Sequence, residues 1–268
     1  MKGLITSKMT TCKNCTFEFE GKYCPDCGQK AKTKRITTKT VWEEVRKSLV
    51  HYDQGFFYTM LQLMRRPGHA IRDYLDGKRV NHIKPVKFML WATALNFLVF
   101  HLLGLDQAMM QKIQEQQSHN KFGMEFTQYI FDHPALMMLL LIPNIALFSW
   151  LYFRRSGYNY AEHFVLNSFL MGEVSLIGLV SNPMYKVIGY DSNSSTFLIS
   201  TLVQLVVWVG FTCWGYTQFF QPKRKWLGWI KTVLALLSGY FLLLIVITIL
   251  VSLFVALFWP WVKPLFVQ

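Results

Sequence analysis

The chain has 268 residues, of which 52% are hydrophobic, 16% aromatic and only 16% charged. Soluble domains carry nearer a quarter charged residues, so the composition argues against a soluble globular protein and for a membrane-embedded one. The net charge of +13 would point a soluble protein towards nucleic acid, but 18 of the 28 Lys and Arg residues precede residue 88. Beside apolar runs of spanning length, that crowding reads instead as an orientation signal and a contact for anionic lipid.

The first thirty residues are polar and lack an apolar core, so no cleavable signal peptide is expected. They carry Cys12-x2-Cys15 and, eight residues on, Cys24-x2-Cys27. A CxxC turn aims both sulfurs at one centre, and two such turns complete a tetrahedral S4 site for a structural zinc. Disulfides are the alternative, disfavoured on a reducing cytosolic face. A redox CxxC normally comes singly and beside a βαβ pattern, which this chain lacks. Residues 1–35 are therefore read as a zinc ribbon followed by the basic linker KAKTKR.

Residues 36–85 read as short amphipathic helices at the membrane interface. Thr40-Val41-Trp42-Glu43 fits a capping box, with Val41, Val45 and Leu49 on one stripe. Gly55 and the Arg65-Arg66-Pro67-Gly68 break divide the rest of this segment. Pro67 suits the first turn of the last helix and Gly77 its end.

Residues 86–268 read as a five-span bundle, with spans near 86–103, 134–153, 163–180, 197–216 and 232–259. The last run exceeds one hydrocarbon thickness and is expected to tilt or to extend past the bilayer. Tryptophans flank the late spans, as an interfacial belt does. With the N-terminus inside, 24 of 28 basic residues fall on the inner side and 4 outside, which fits the positive-inside rule and puts the C-terminus outside. The fold class expected is thus all-α and membrane-embedded, behind a small zinc ribbon.

The run CKNC…GKYCPDCGQK followed by DQGFFYTMLQLMRRPGHAIRDYLDGKRVNHIKPVKFML resembles a bacterial family of multipass membrane proteins, domain-of-unknown-function 3667. The resemblance covers the ribbon, the RRPG…YLDGKR segment and the first span, with a looser match through AEHF. It implies this architecture and a bacterial inner membrane. It supplies no activity and no catalytic residue.

Two groups of candidate residues stand apart. Arg65, Arg66, Arg72, Lys78, Arg79, Lys84 and Lys87 lie just ahead of the first span, with only Asp73 and Asp76 among them. They suit topology determination, an anionic lipid headgroup or a phosphorylated ligand. Glu162, His163, Asn167 and Glu173 fall in the third span, and the eleven-residue spacing places Glu162 and Glu173 on one side of the helix. An acid at the depth of Glu173 costs about 2.5–3.5 kcal/mol to insert, so it should face a cavity on a substrate or ion pathway, or bond as a protonated carboxyl to Asn96, Asn144 or Gln204. His163 beside Glu162 is no metal pair, because adjacent helical residues diverge. Cys213 reads as packing. With no HExxH, phosphate loop or nucleophile–base pair, the leading expectation is a non-enzymatic scaffold or sensor contacting anionic lipid and a cytosolic protein. The second is a small transporter or lipid-handling protein using Glu173, and an intramembrane enzyme is the weakest.

Overall fold

The computed structural model describes residues 9–47, 55–107, 110–111, 121–188 and 195–266. Leu49 of the expected stripe, and Lys2, Lys8 and Lys112 of the charge count, lie outside the described residues. At the N-terminus β1 (Thr10–Thr11) pairs antiparallel with β2 (Glu18–Phe19). An isolated bridge joins Tyr23 and Lys30. Each of these two small hairpins encloses one CxxC turn.

Helix α1 (Thr38–Lys47) starts earlier than the expected box. The Thr37 amide donates to Thr40 Oγ1 at 3.0 Å, and the two hydroxyls bond at 2.8 Å. Thr37 therefore caps the helix, and Thr40 is the residue that reaches back to it. Helix α2 (Phe56–Arg65) exposes Phe57, Leu61 and Met64 along one stripe and buries Thr59 and Leu63 opposite. Helix α3 (Pro67–Asp76) has Pro67 in its first turn and ends at Gly77, whose φ of 117° is left-handed, as the sequence led us to expect. Ala70, Ile71 and Tyr74 of α3 enter the core, so this helix caps the bundle as well as lying at its rim.

The bundle comprises α4 (Pro85–Leu102), α5 (Lys121–Asp132), α6 (Pro134–Phe153), α7 (Tyr160–Ile188), α8 (Ser195–Phe220) and α9 (Lys225–Phe266). A single 3-10 turn, Arg154–Ser156, follows α6. Among the described residues, four stretches are long and apolar enough to cross a membrane: Pro85–Leu102, Pro134–Ser156, Tyr160–Met184 and Lys225–Phe254. The stretch read as the fourth span, 197–216, lies within α8, a helix of 26 residues. The last run is one continuous helix of 42 residues. At 1.5 Å per residue that is about 63 Å, roughly twice a hydrocarbon core.

Helix α7 is the axis, with every residue from Ala161 to Glu173 buried. It packs on α4, α6 and α8. Within a bilayer such contacts stabilise through close packing rather than by removing apolar surface from water, so small residues mark the crossings. A Cβ on Gly172 would lie 2.7 Å from the Phe88 ring of α4, and one on Gly239 of α9 2.7 Å from the Ile145 Cα of α6. The tightest approach is α3 on α8, where a Cβ on Gly68 would meet the Phe219 amide nitrogen at 2.3 Å and the Gly215 carbonyl oxygen at 2.4 Å.

Candidate functional site

The two cysteine turns are built alike. The Cys12 amide donates to Phe17 O at 2.9 Å, and the Thr16 amide to Cys12 O at 2.9 Å. Twelve residues later the Cys24 amide donates to Gln29 O at 2.8 Å, and the Gly28 amide to Cys24 O at 2.9 Å. Thr16 and Gly28 hold the equivalent left-handed position, with φ of 64° and 74°. Glycine takes that conformation freely, whereas a β-branched threonine is strained there.

The four sulfurs lie within 4.8 Å of one another, with Cys12–Cys27 and Cys15–Cys24 contacts of 3.5 Å. All are free thiols. A tetrahedral metal with bonds of about 2.3 Å to sulfur has S···S edges of about 3.8 Å, inside this range, and disulfide sulfurs sit at about 2.0 Å. The Asn14 amide points at Cys12 Sγ from 3.4 Å. Burial works to raise the Cys12 thiol, but amide and thiol hydrogen bonds outweigh it and bring it down to about 7, while burial pushes Cys27 up. Four thiolates at one centre repel, and a metal cation removes that penalty by binding all of them. The donor set therefore fits a metal ion.

The ribbon is tied to the helices. Arg35 donates from Nε and Nη2 to the two carboxylate oxygens of Glu162, both at 2.6 Å, and from Nη2 to Gly157 O at 2.9 Å. Glu162 is buried, and its hydrogen bond holds the Arg35 guanidinium firmly in the charged form. The same carboxylate closes the cap of α7. The Asn159 amide donates to Glu162 Oε2 at 2.8 Å, and the Glu162 amide to Asn159 Oδ1 at 2.9 Å. Asn159 Nδ2 also donates to Ile36 O at 3.1 Å. On a second side the Arg79 amide donates to Gln29 Oε1 at 3.2 Å and its Nη2 to Lys34 O at 3.2 Å. Gly77 makes room for Lys13, whose side chain would stand 2.8 Å from an added Cβ.

The seven basic residues before the first span do not form one patch. Arg72 donates to Phe219 O at 2.6 Å and Gln218 O at 3.0 Å, closing the last turn of α8. Arg79 also donates to Tyr74 O at 2.9 Å. Arg66 and Lys78 pair with Asp73 at 3.3 and 2.8 Å. Lys87 is buried, and Arg65 and Lys84 are exposed.

On α7, Glu162 and Glu173 meet different fates. The carboxylate of Glu173 is fully buried, and neither oxygen has a hydrogen-bond partner among the described residues. The three anticipated partners are engaged elsewhere: Asn96 accepts from Asn182 at 2.9 Å, Asn144 donates to Leu140 O at 2.7 Å, and Gln204 donates to Ser181 at 3.1 Å. His163 Nδ1 bonds Ser149 Oγ at 2.6 Å, while its Nε2 has no partner among the described residues. Asn167 accepts from the Tyr216 hydroxyl at 2.8 Å.

Sequence reasoning missed Arg35, Asn159 and Gln29. For Asn159 a signal existed, since Asn159-x-x-Glu162 has capping-box spacing. For Arg35, 127 residues from its partner, none did.

Residues 53–97, from ahead of α2 into α4, match a family described as Protein of unknown function (DUF3667). The match takes in Gly68, Arg72, Gly77 and Arg79. No curated protein and no solved structure matches the chain.

Proposed function

We propose that the chain is a five-span protein of a bacterial inner membrane, N-terminus cytoplasmic and C-terminus outside, whose ribbon carries a structural zinc. With α2 and α3 the ribbon acts as a non-enzymatic scaffold or sensor facing the cytoplasm. The observation that carries this reading is the Arg35–Glu162 bridge, which joins the linker beyond the cysteines to the cap of the central helix. An order change in the ribbon would reach the start of α7 through that carboxylate and the Asn159–Ile36 hydrogen bond beside it. A closed four-thiolate site favours a structural rather than a catalytic zinc. The charge asymmetry about five spans supports the orientation.

Metal analysis of the purified protein should find about one zinc per chain, as an S4 site requires. Chelation, or Cys24→Ser, should raise amide exchange at residues 10–34 and also at 159–163. An ordered ribbon holding reduced thiols and no metal would overturn the zinc. Exchange that rises in the ribbon alone would overturn the coupling to the bundle.

A second reading, a small transporter or lipid-handling protein, is favoured by one observation: the buried carboxylate of Glu173, which has no partner among the described residues. Neither of the clefts that flank α6 is lined by it. Glu173→Gln keeps shape and hydrogen-bonding capacity while removing ionisation. Under this reading it should abolish a phenotype that depends on the protein, while folding and insertion persist.

A further inference from the structure

Five cations from distant parts of the chain converge on one cleft at the ribbon end of the bundle. The cleft has a volume of about 570 Å³. Arg154 and Arg155 of the 3-10 turn form one wall, Lys223 and Arg224 of the loop after α8 another, and Lys231 of α9 a third. Among the described residues, no acidic side chain lines it and none of the five forms an ion pair. This is unlike Arg35, Arg66 and Lys78, each of which has a carboxylate. Like charges focused in one concavity repel one another, so an anion bound among them gains from all five at once.

Two aromatic rings, Phe153 and Phe220, line the cleft. Phe153 stacks on Phe220 at 4.2 Å between ring centroids, and Lys231 Nζ stands 5.7 Å above the Phe153 ring. Position then selects the ligand. The cleft sits where the apolar stretches Pro134–Ser156 and Lys225–Phe254 meet their polar ends, the level of lipid headgroups. Trp226 and Trp229 are exposed there, as an interfacial belt requires, and Trp229 donates to Thr217 at 3.1 Å. Leu151 and Leu227 also line the cleft and are exposed. They lead onto the exposed outer face of α9 at Leu234, Leu237 and Phe241. A polar mouth continuing into an apolar track matches a molecule with a phosphate head and acyl chains, and a free phosphate has no use for the track.

We propose that this cleft binds the phosphate headgroup of an anionic membrane lipid, with its chains lying along α9. The inference rests on the membrane reading above and adds a site to it that lies apart from the basic segment at residues 65–87.

The full chain in nanodiscs of phosphatidylcholine, doped with a fluorescent phosphatidylglycerol, reports the site through energy transfer from tryptophan. Competition with unlabelled phosphatidylglycerol, phosphatidylcholine and inorganic phosphate separates the sources. Phosphatidylglycerol should displace the probe, and phosphatidylcholine and millimolar phosphate should not. The Arg154→Gln/Arg155→Gln/Lys223→Gln/Arg224→Gln variant should lose at least about tenfold in preference for the anionic lipid, given the contribution of each basic residue near a surface. The milder Arg155→Gln/Lys223→Gln pair gives a smaller loss if the fourfold variant does not fold. Wild-type preference in both variants overturns the proposal. So does displacement by inorganic phosphate alone, or by an acidic peptide such as oligoglutamate, since either identifies a soluble ligand. Zinc content and membrane insertion are read on the same samples, so failure of the cleft is distinguishable from failure of the membrane or ribbon reading.

Discussion

Two basic regions sit at the same end of this molecule and are put to opposite uses. Between residues 65 and 87, most of the positive charges are engaged by the protein itself. Arg72 and Arg79 satisfy backbone carbonyls, Arg66 and Lys78 share Asp73, and Lys87 is buried. In the cleft, Arg154, Arg155, Lys223, Arg224 and Lys231 are exposed and meet no acid among the described residues. The region denser in charge along the sequence is the less available in space. A run of Lys and Arg measures charge, but only the backbone groups and acids around each head decide whether that charge is free for a ligand. The regions are also linked, because Arg72 closes the turn of α8 from which the cleft loop departs.

The largest effect should come from breaking that link. Gly68→Ala places a methyl group on the Phe219 amide and the Gly215 carbonyl of α8, and backbone atoms cannot yield as a side chain tip can. Overpacking of this kind costs about 2–3 kcal/mol or more, so the unfolding temperature in detergent should drop by many degrees. Arg72→Ala comes close behind. It leaves the carbonyls of Gln218 and Phe219 without their charged donor, a loss of about 1.5–3 kcal/mol. If Arg72 were instead a lipid contact, the alanine variant would keep its stability and lose anionic-lipid preference. That result would collapse the distinction between the two regions.

Much of this was legible in the chain, and for local reasons. CxxC spacing, Pro67 at a helix start, Gly77 at a helix end and the apolar runs are all written within a few residues. What was illegible is what folding brings together. Nothing near Arg35 announces Glu162, and nothing in RRPG announces that Gly68 must clear α8. The cleft cations come from segments some seventy residues apart, each too sparse to stand out beside the richer run before the first span. Glu173 shows the converse limit. Its burial followed from its place in an apolar helix, but its lack of a partner among the described residues depends on where Asn96, Asn144 and Gln204 turn.

The next effect tests whether the first region tolerates an added charge. His82 lies against the rings of Tyr58 and Tyr74 and 3.4 Å from Thr59 Oγ1, whose hydroxyl donates to Gly55 O and accepts from the Ile83 amide. Burial lowers its pKa from 6.5 to about 4; Asp73 opposes that shift and Arg66 adds to it. The unfolded chain therefore takes up the proton first. The contribution to stability is full above about pH 6.5 and is lost as the pH falls towards 4. Between pH 7 and pH 5 the loss should be about 1–2 kcal/mol, and His82→Gln should flatten it. A slope unchanged by that substitution would mean that another group carries the acid response.

The smallest effect falls on Arg65 and Lys84, the two exposed cations of the first region that have no acid partner among the described residues. Converting both to glutamine removes no close contact that the structure gives them, so stability should move by no more than about 0.5 kcal/mol. Any pull they exert on anionic lipid is diffuse, acting across water over roughly the 8 Å screening length of physiological salt. Their loss should therefore weaken binding to phosphatidylglycerol nanodiscs a few-fold in low salt and negligibly at about 1 M, where the screening length shrinks to roughly 3 Å. The proposed cleft differs in kind, because a headgroup held there would meet several cations at once beside the Phe153 and Phe220 rings, at separations shorter than the screening length. Some anionic preference should persist there at high salt and disappear only in the cleft variants. Were the double variant at residues 65 and 84 to abolish that salt-resistant binding while the cleft variants kept it, the assignment of the two regions would have to be exchanged.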